Sequence, residues 1–248
     1  MSNGEQPDSD VYWHSAKVRM ARMVEPNGCD ALVDHIFVYR APIHSWLRSA
    51  LAIGRSLERT EHGEGRIEWR LVEVLTIDVL VNQNLDGAEV HCQFIDMTPE
   101  DGVPFGTVPH PEDSTPVRRH LMSVNPHGAT GTAVPWFSAR VRDTILFEGD
   151  NGEFEDSIYL FKAADFDAAL DRAISLGQAG DREYPGGPEA RRVQWKLAEV
   201  TSLNLLGAGE IGEAVEVHSE AVTLGDADRM PFDYVFHPEL SKPEATGV

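Results

Sequence analysis

A carboxylate and an imidazole occur at the same spacing in two places along the chain. The sequence Glu-Val-His places Glu89 before His91, and it recurs with Glu216 before His218. Alternate residues of a strand point to the same side, so we expect each glutamate to lie beside its histidine. Such a pair can perform general acid–base chemistry, because the carboxylate raises the imidazole pKa. The alternative is a polar strand face with a hydrogen-bonded histidine, since the spacing supplies no nucleophile.

Metal and nucleotide chemistry have weaker support in the sequence. Four histidines could supply imidazole ligands, namely His91, His110, His120 and His127. There is no His-Glu-x-x-His, no Cys-x-x-Cys, no phosphate-binding glycine loop and no Gly-x-Ser-x-Gly. We therefore expect no metal, no cofactor and no catalytic residue set. The two cysteines, Cys29 and Cys92, have no counterparts in the duplication described next, which indicates unpaired thiols in a reducing compartment.

The Glu-Val-His segments belong to a duplication that covers most of the chain. The seven residues from Trp13 return 123 residues later, starting at Trp136, as a similar segment. A repeat of this length is a whole small domain rather than one unit of a solenoid. Each copy ends in an arm that carries Pro-Phe and His-Pro-Glu, and we expect His110 and His237 to anchor it by hydrogen bonds. The predicted organisation is a disordered N-terminus (1–11), a first copy (12–112), a linker (113–134), a second copy (135–239) and a disordered tail (240–248).

The elements that must position these residues follow from periodicity. Alternation from Trp13 to about Val24 predicts a strand, and Pro26-Asn27-Gly28 predicts the turn of a hairpin. Apolar residues at helical spacing follow Pro42, and Asp165 is a suitable N-cap for the matching helix of the second copy. Two further strands complete the order β-β-α-β-β. This order predicts an α+β fold: two tandem copies, each an antiparallel sheet with one helix on one face, packed as an internal pseudo-dimer.

Large aromatic residues fall on the strand positions that alternate with the expected helix-facing ones. They are the candidate binding residues Trp13, Tyr39, Trp69, Trp136, Phe161 and Trp195. A sheet face with this much aromatic surface is not left in water. Three explanations remain open: the copies pack these faces together, the arm covers its own sheet, or the face binds a ligand or partner.

Composition restricts the partners. A net charge of −20 and a pI near 4.8 argue against binding nucleic acid or anionic lipid, and favour a basic protein partner. The first ten residues have no apolar stretch typical of a signal peptide, and no apolar run reaches the roughly 18 residues of a membrane span. We expect a cytoplasmic protein.

Each copy resembles a family of small bacterial domains called domain of unknown function 4288 (DUF4288). The resemblance is carried by Trp136-Phe137-Ser138-Ala139-Arg140-Val141, Ile158-Tyr159-Leu160-Phe161-Lys162-Ala163, Val193-Gln194-Trp195-Lys196-Leu197 and Glu216-Val217-His218. The second copy is the closer match, since the first departs from the pattern in its helix, at Pro42 and Trp46. The resemblance implies a small intracellular α+β domain, and it implies no activity.

These observations favour a non-enzymatic, protein-binding role of the immunity or accessory type. Acidity, duplicated surfaces and the lack of a catalytic set point to it. The alternative is a small-molecule-binding or hydrolytic domain that uses the matched Glu/His pairs in a cleft between the copies. We expect a monomer, as an internal pseudo-dimer, or a weak homo-oligomer.

Overall fold

The computed structural model describes residues 11–63, 65–81, 84–98, 103–124, 133–149, 152–186, 191–225 and 228–244. The chain forms two compact units. The described residues up to 81, together with those from 213 onward, make up unit 1, and residues 84–212 make up unit 2. Most of the segment predicted to be a disordered N-terminus, and His127, lie outside the described residues.

Unit 1 is a five-stranded sheet with one helix packed on it. Its elements are β1 (Val11–Val24), β2 (Gly28–Pro42), α1 (Trp46–Ser56), β3 (Arg59–His62), β4 (Arg66–Val79) and β11 (Ala214–Val222). The strand order is β11-β2-β1-β4-β3, and every neighbouring pair is antiparallel. The predicted hairpin turn is present, with Gly28 at φ +87°, a conformation that glycine adopts without strain.

Unit 2 repeats this plan. Its elements are β5 (Ala88–Asp96), β6 (Val117–His120), β7 (Trp136–Phe147), β8 (Glu153–Lys162), α2 (Phe166–Gln178), β9 (Arg182–Gly186) and β10 (Arg191–Gly207). The order is β5-β8-β7-β10-β6, with β9 also pairing with β10. The predicted α+β class, with antiparallel sheets that each carry one helix, is confirmed. The short edge strand β6 runs parallel to β10 and lies within the segment predicted as a linker.

The fourth long strand of each copy lies in the unit formed mainly by the other copy. Strand β5, encoded in the first copy, pairs with β8 of unit 2, and β11, encoded in the second copy, pairs with β2 of unit 1. Each compact unit therefore contains segments from both sequence repeats. Periodicity cannot reveal this exchange, because either β2 or β8 offers a suitable antiparallel edge to either strand.

The arms, which comprise residues 103–114 and 230–241, follow their strands into the exchanged units, so the first arm lies in unit 2 and the second in unit 1. In unit 1, the backbone N–H of Cys29 donates to the Met230 carbonyl at 2.8 Å, and that of Val74 donates to Ser241 Oγ at 3.0 Å. In unit 2, the N–H of Val200 donates to Ser114 Oγ, also at 3.0 Å. Each arm thus supplies one serine at the same place in its sheet. The sequence predicts a disordered tail over 240–248, but the described residues reach Glu244, which forms a bridge with Thr76.

The helices pack closely because each has a glycine where it crosses the sheet. An added Cβ at Gly54 would lie 2.7 Å from Leu71 Cδ1, and one at Gly177 would lie 2.8 Å from Leu197 Cδ1. Asp165 caps α2 as predicted, accepting hydrogen bonds from the N–H groups of Asp167 and Ala168. None of the helices in the described part of the chain has the length and apolar character that crossing a membrane requires.

The prediction of which strand residues face the helix is wrong for most of the aromatic positions. In the β1–β2 register Ala16 lies opposite Phe37, so the face with Ala16 also carries Phe37 and Tyr39. These residues form the core under α1 together with Leu71, and Trp69 packs against that core. Single-strand alternation gives two faces but does not say how the faces of neighbouring strands match; only the register decides this.

Candidate functional site

The Glu-Val-His pairs do not lie on one face. A bulge in β5 places Glu89 opposite Tyr159 and His91 opposite Ile158. Tyr159 and Ile158 are consecutive residues of β8 and point to opposite sides of the sheet, so Glu89 and His91 do as well. The prediction that these two side chains lie side by side is wrong, because the bulge adds one residue to the alternation.

The same displacement occurs in unit 1. A bulge in β11 places Glu216 opposite Phe37 and His218 opposite Ile36. Glu216 instead lies 2.9 Å from His35 Nδ1, a contact between neighbouring strands. His218 is buried on the other face, 4.0 Å from Glu220. Neither bulge gives a local signal in the sequence.

The candidate aromatic residues of unit 1 are divided between its two faces. Tyr39 is buried under α1, where its hydroxyl donates to the Trp46 carbonyl at 3.1 Å. Burial raises its pKa. Trp69 is half-buried on the same face, beneath the guanidinium of Arg59. Trp13 lies on the opposite face and contacts Arg40. They do not form one aromatic surface.

In unit 2 the pattern is similar. Phe161 is fully buried in the core under α2. Trp136 is buried on the opposite face, where its indole N–H donates to the Gly209 carbonyl at 3.1 Å. Trp195 lies beneath Arg182, with the guanidinium carbon 3.8 Å from the ring centroid, and contacts the edge of Phe94.

Glu89 belongs to a cluster that the residue spacing does not predict. Ligand-type atoms of Glu89, Cys92 and Glu155 all lie within 4.8 Å of one another, and all three residues are partly buried. The Cys92 thiol is within hydrogen-bonding reach of both carboxylates. The Tyr159 hydroxyl donates to Glu89 at 3.4 Å. Among the residues that the structure describes, this is the one group of three such side chains close enough to share a metal ion.

Asp143 adds a third carboxylate to this region. It lies directly opposite Glu155 in the β7–β8 register and is 5% exposed. Its Oδ1 atom is buried and has no hydrogen-bond partner among the described residues. Burial, followed by the negative charges of Glu155, Asp181 and Glu89, raises its pKa to about 7.

The surroundings of the cluster disfavour the charged form of its carboxylates. Burial raises the pKa of Glu89 and of Glu155, and the negative charge of Glu89 raises the pKa of Glu155 further. The positive charge that opposes this effect at Asp143 and Glu155 is Arg182. Buried like charges of this kind are characteristic of functional sites.

The matched positions of unit 1 have a different composition. The cross-strand pair Asp143 and Glu155 of unit 2 corresponds to the apolar pair Met20 and Val33 in unit 1. Tyr159 corresponds to Phe37. One carboxylate, Glu216, is retained at the position of Glu89. Alignment of the two copies alone would show this exchange of apolar for acidic residues, but not that the acidic residues converge.

The arms present a second set of matched residues. Val108 and Val235 occupy equivalent positions and are 73% and 67% exposed. Close to each, the Nδ1–H of a histidine donates to the carboxylate of a glutamate two residues later, His110 to Glu112 at 2.9 Å and His237 to Glu239 at 3.1 Å. These four polar side chains are more than half exposed.

A groove lies beside the arm of unit 1. Its volume is about 410 Å³. Its lining combines apolar arm residues with charged residues of the helix and sheet: Arg55, Glu58, Arg70, Leu71, Tyr234, Val235, Phe236, Pro238 and Glu239. Such a mixture of apolar surface and charged rim is typical of a surface that binds a protein segment.

Comparison with known proteins gives one match. A sequence model of the family described as a domain of unknown function (DUF4288) matches residues 136–219, so one copy of this domain is present there. The matched segment runs from the start of β7 to within β11. The two similar sheets are consistent with a second copy that the family model does not detect. No curated protein and no solved structure matches the chain.

Proposed function

We propose that this protein is a non-enzymatic binding protein of the immunity or accessory type, and that it binds a basic protein partner through its two arms. The observation that carries the proposal is the matched exposure of Val108 and Val235. An exposed valine contributes nothing to the core of either unit, yet it occurs at the same arm position in both. A contiguous apolar patch with a polar rim marks a docking surface, and in the arm of unit 1 Val235 follows the exposed Tyr234 directly.

The charge of the chain supports a basic partner. The net charge of −20 attracts positively charged proteins and accelerates their association. Two equivalent arms provide two similar contact surfaces, and a partner that contacts both gains avidity without any new type of contact. We further propose that the two sequence repeats are tandem DUF4288 copies and that the protein acts in the bacterial cytoplasm.

The alternative, a small-molecule-binding or hydrolytic role for the Glu/His pairs, has less support. General acid–base catalysis by a Glu/His pair needs the two side chains within hydrogen-bonding reach. The bulges in β5 and β11 separate them onto opposite faces. Glu89 has a thiol and two further carboxylates near it instead, which indicates a different chemistry.

Affinity purification from the native host, followed by titration with the isolated partner, tests the proposed function. We expect a stoichiometric basic partner, and a dissociation constant that rises steeply with salt because charge attraction is screened. Replacement of both arm valines (Val108→Ser with Val235→Ser) should weaken binding at least about tenfold, and each single replacement should weaken it less.

The control variant is Val81→Ser, which makes the same chemical change at a residue that is 83% exposed and lies outside the arms. It should bind like the wild type. An acidic partner, an affinity that does not change with salt, or full binding by the double arm variant would contradict the proposal.

A further inference from the structure

We propose that unit 2 contains a site for a divalent metal ion of the zinc class, with Glu89, Cys92 and Glu155 as its protein ligands. Two carboxylates and a thiol already lie within 4.8 Å of one another, on β5 and the adjacent β8. All three come from strands of one sheet, so their backbone positions are fixed by the hydrogen bonds between these strands.

The ligand types select the class of metal. Thiolate binds zinc and other borderline or soft ions, whereas calcium and magnesium require a shell made entirely of oxygen. Zinc–ligand distances of about 2.0–2.3 Å set ligand atoms roughly 3.5 Å apart in a tetrahedron. Zinc binding therefore requires the two glutamate side chains to rotate so that their oxygens approach the thiolate. Three protein ligands leave one coordination position for water or for a fourth protein group.

Asp143 gives the second, independent indication of a missing cation. Its buried Oδ1 has no hydrogen-bond partner among the described residues, and it lies opposite Glu155 within the field of Glu89. A buried carboxylate oxygen without a partner is costly, so a protein retains one where something binds it. Asp143 can provide the fourth ligand, or it can hold the metal-bound water.

Unit 1 is an internal reference for the same fold without this cluster. At the matched positions it has Met20 for Asp143, Val33 for Glu155 and Ser219 for Cys92. The fold therefore does not need acidic residues or a thiol at these points. Their presence together in unit 2 alone is explained by a ligand that unit 2 binds and unit 1 does not.

The test is titration of the full-length, metal-free protein with Zn²⁺, followed by calorimetry and thermal unfolding, and with Co²⁺ as a spectroscopic probe. We expect one ion per chain, a higher unfolding temperature, and a thiolate-to-cobalt charge-transfer band. Mg²⁺ and Ca²⁺ should not replace zinc. The matched variants are Cys92→Ser, which introduces the residue found in unit 1, and Cys29→Ser at the cysteine of unit 1.

Cys92→Ser should lose the cobalt band and weaken zinc binding at least about 100-fold, whereas Cys29→Ser should retain both. Asp143→Asn, which is similar in shape, should weaken binding less strongly while keeping the band, and circular dichroism should show that each variant is folded. Absence of zinc binding would overturn the proposal. So would zinc binding that Cys92→Ser leaves unchanged, as expected for exposed histidines, or a preference for Mg²⁺. None of these results depends on the arms or on a protein partner.

Discussion

Each unit contains one buried aspartate that holds two basic side chains of the neighbouring strand. In unit 1, Asp34 binds Arg19 at 2.7 Å and Lys17 at 3.4 Å. In unit 2, Asp156 binds Arg142 at 2.7 Å and Arg140 at 2.6 Å. Both aspartates are 2% exposed. Because this arrangement recurs at matched positions in both units, it belongs to the architecture rather than to a site found in one unit.

Removal of the aspartate should be costly. Asp156→Ala leaves two partly buried arginines without their carboxylate, so we expect the free energy of unfolding to fall by about 3–5 kcal/mol. Denaturant unfolding measures this difference. The control is Asp30→Ala, which removes a similar two-bond pair with Arg22 at the surface and should cost less than about 1 kcal/mol. Equal costs for the two variants would show that burial does not strengthen the pair.

The ion pairs of Asp156 with Arg140 and Arg142 also predict that stability depends on pH. Burial raises the pKa of Asp156, but hydrogen bonds and charge from Arg142 and Arg140 outweigh it, so the pKa lies below its usual value. A lowered folded pKa contributes stability at pH values above the unfolded pKa of about 3.9, and that stability is lost as the pH falls through the folded pKa. Asp156→Ala should therefore lose less stability than the wild type between pH 5 and 2.

At the scale of elements, the exchanged arms are held by backbone contacts as well as by packing. The turn glycine Gly28 of unit 1 lies so close to the arm that an added Cβ would be 2.1 Å from the Met230 carbonyl oxygen. Gly106 of the other arm has nearly the same φ, +88°, but nothing lies within 4 Å of the position of its Cβ. Substitution of the two glycines therefore distinguishes the cost of a side chain at positive φ from the cost of a steric clash with the arm.

Gly28→Ala should therefore destabilise the protein more than Gly106→Ala. Both carry the cost of a side chain at positive φ, about 1–2 kcal/mol, but only the first displaces the arm. We expect at least about 2 kcal/mol of additional loss for Gly28→Ala in urea unfolding, with increased proteolysis of the segment around Met230. Equal losses would mean that the arm moves aside without cost.

At the scale of the whole molecule, the exchange of β5 and β11 makes the two sequence copies depend on each other. Unit 1 draws its outer strand and arm from the second copy, and unit 2 draws its own from the first. A copy on its own would lack the strand that covers the edge of its sheet, and exposed edges promote association. Such an exchange between two identical chains would be domain swapping; here it occurs within one chain.

Expression of the two sequence repeats as separate polypeptides tests whether each needs the other to fold. Residues 1–128 and 129–248, produced together as separate polypeptides, should associate one to one, because each supplies a strand and an arm to the unit of the other. Either fragment alone should aggregate, self-associate or remain unfolded. Gel filtration with light scattering measures the assembly, and circular dichroism measures folding. Two independently folded monomers would contradict the prediction.

Several features could be predicted from the sequence because they depend on local chemistry or on internal similarity. The repeat, the hairpin turn at Gly28, the Asp165 cap and the α+β class follow from residue types at short spacing. The repeated Glu-Val-His spacing also identified Glu89 as a candidate. The neighbour predicted for Glu89 was wrong, because a one-residue bulge reverses every later side chain on a strand without changing its composition.

What the sequence determined by itself is therefore the internal repeat, most of the helices and strands, and the net charge, because each of these can be read from residue types along the chain. Tertiary structure alone decided the register that places Phe37 and Tyr39 under the helix, the exchange of β5 and β11, and the convergence of Glu89, Cys92, Asp143 and Glu155. The physical reason is that strand pairing is non-local. The backbone groups of any strand can pair with many partners, and packing of the whole unit selects among them.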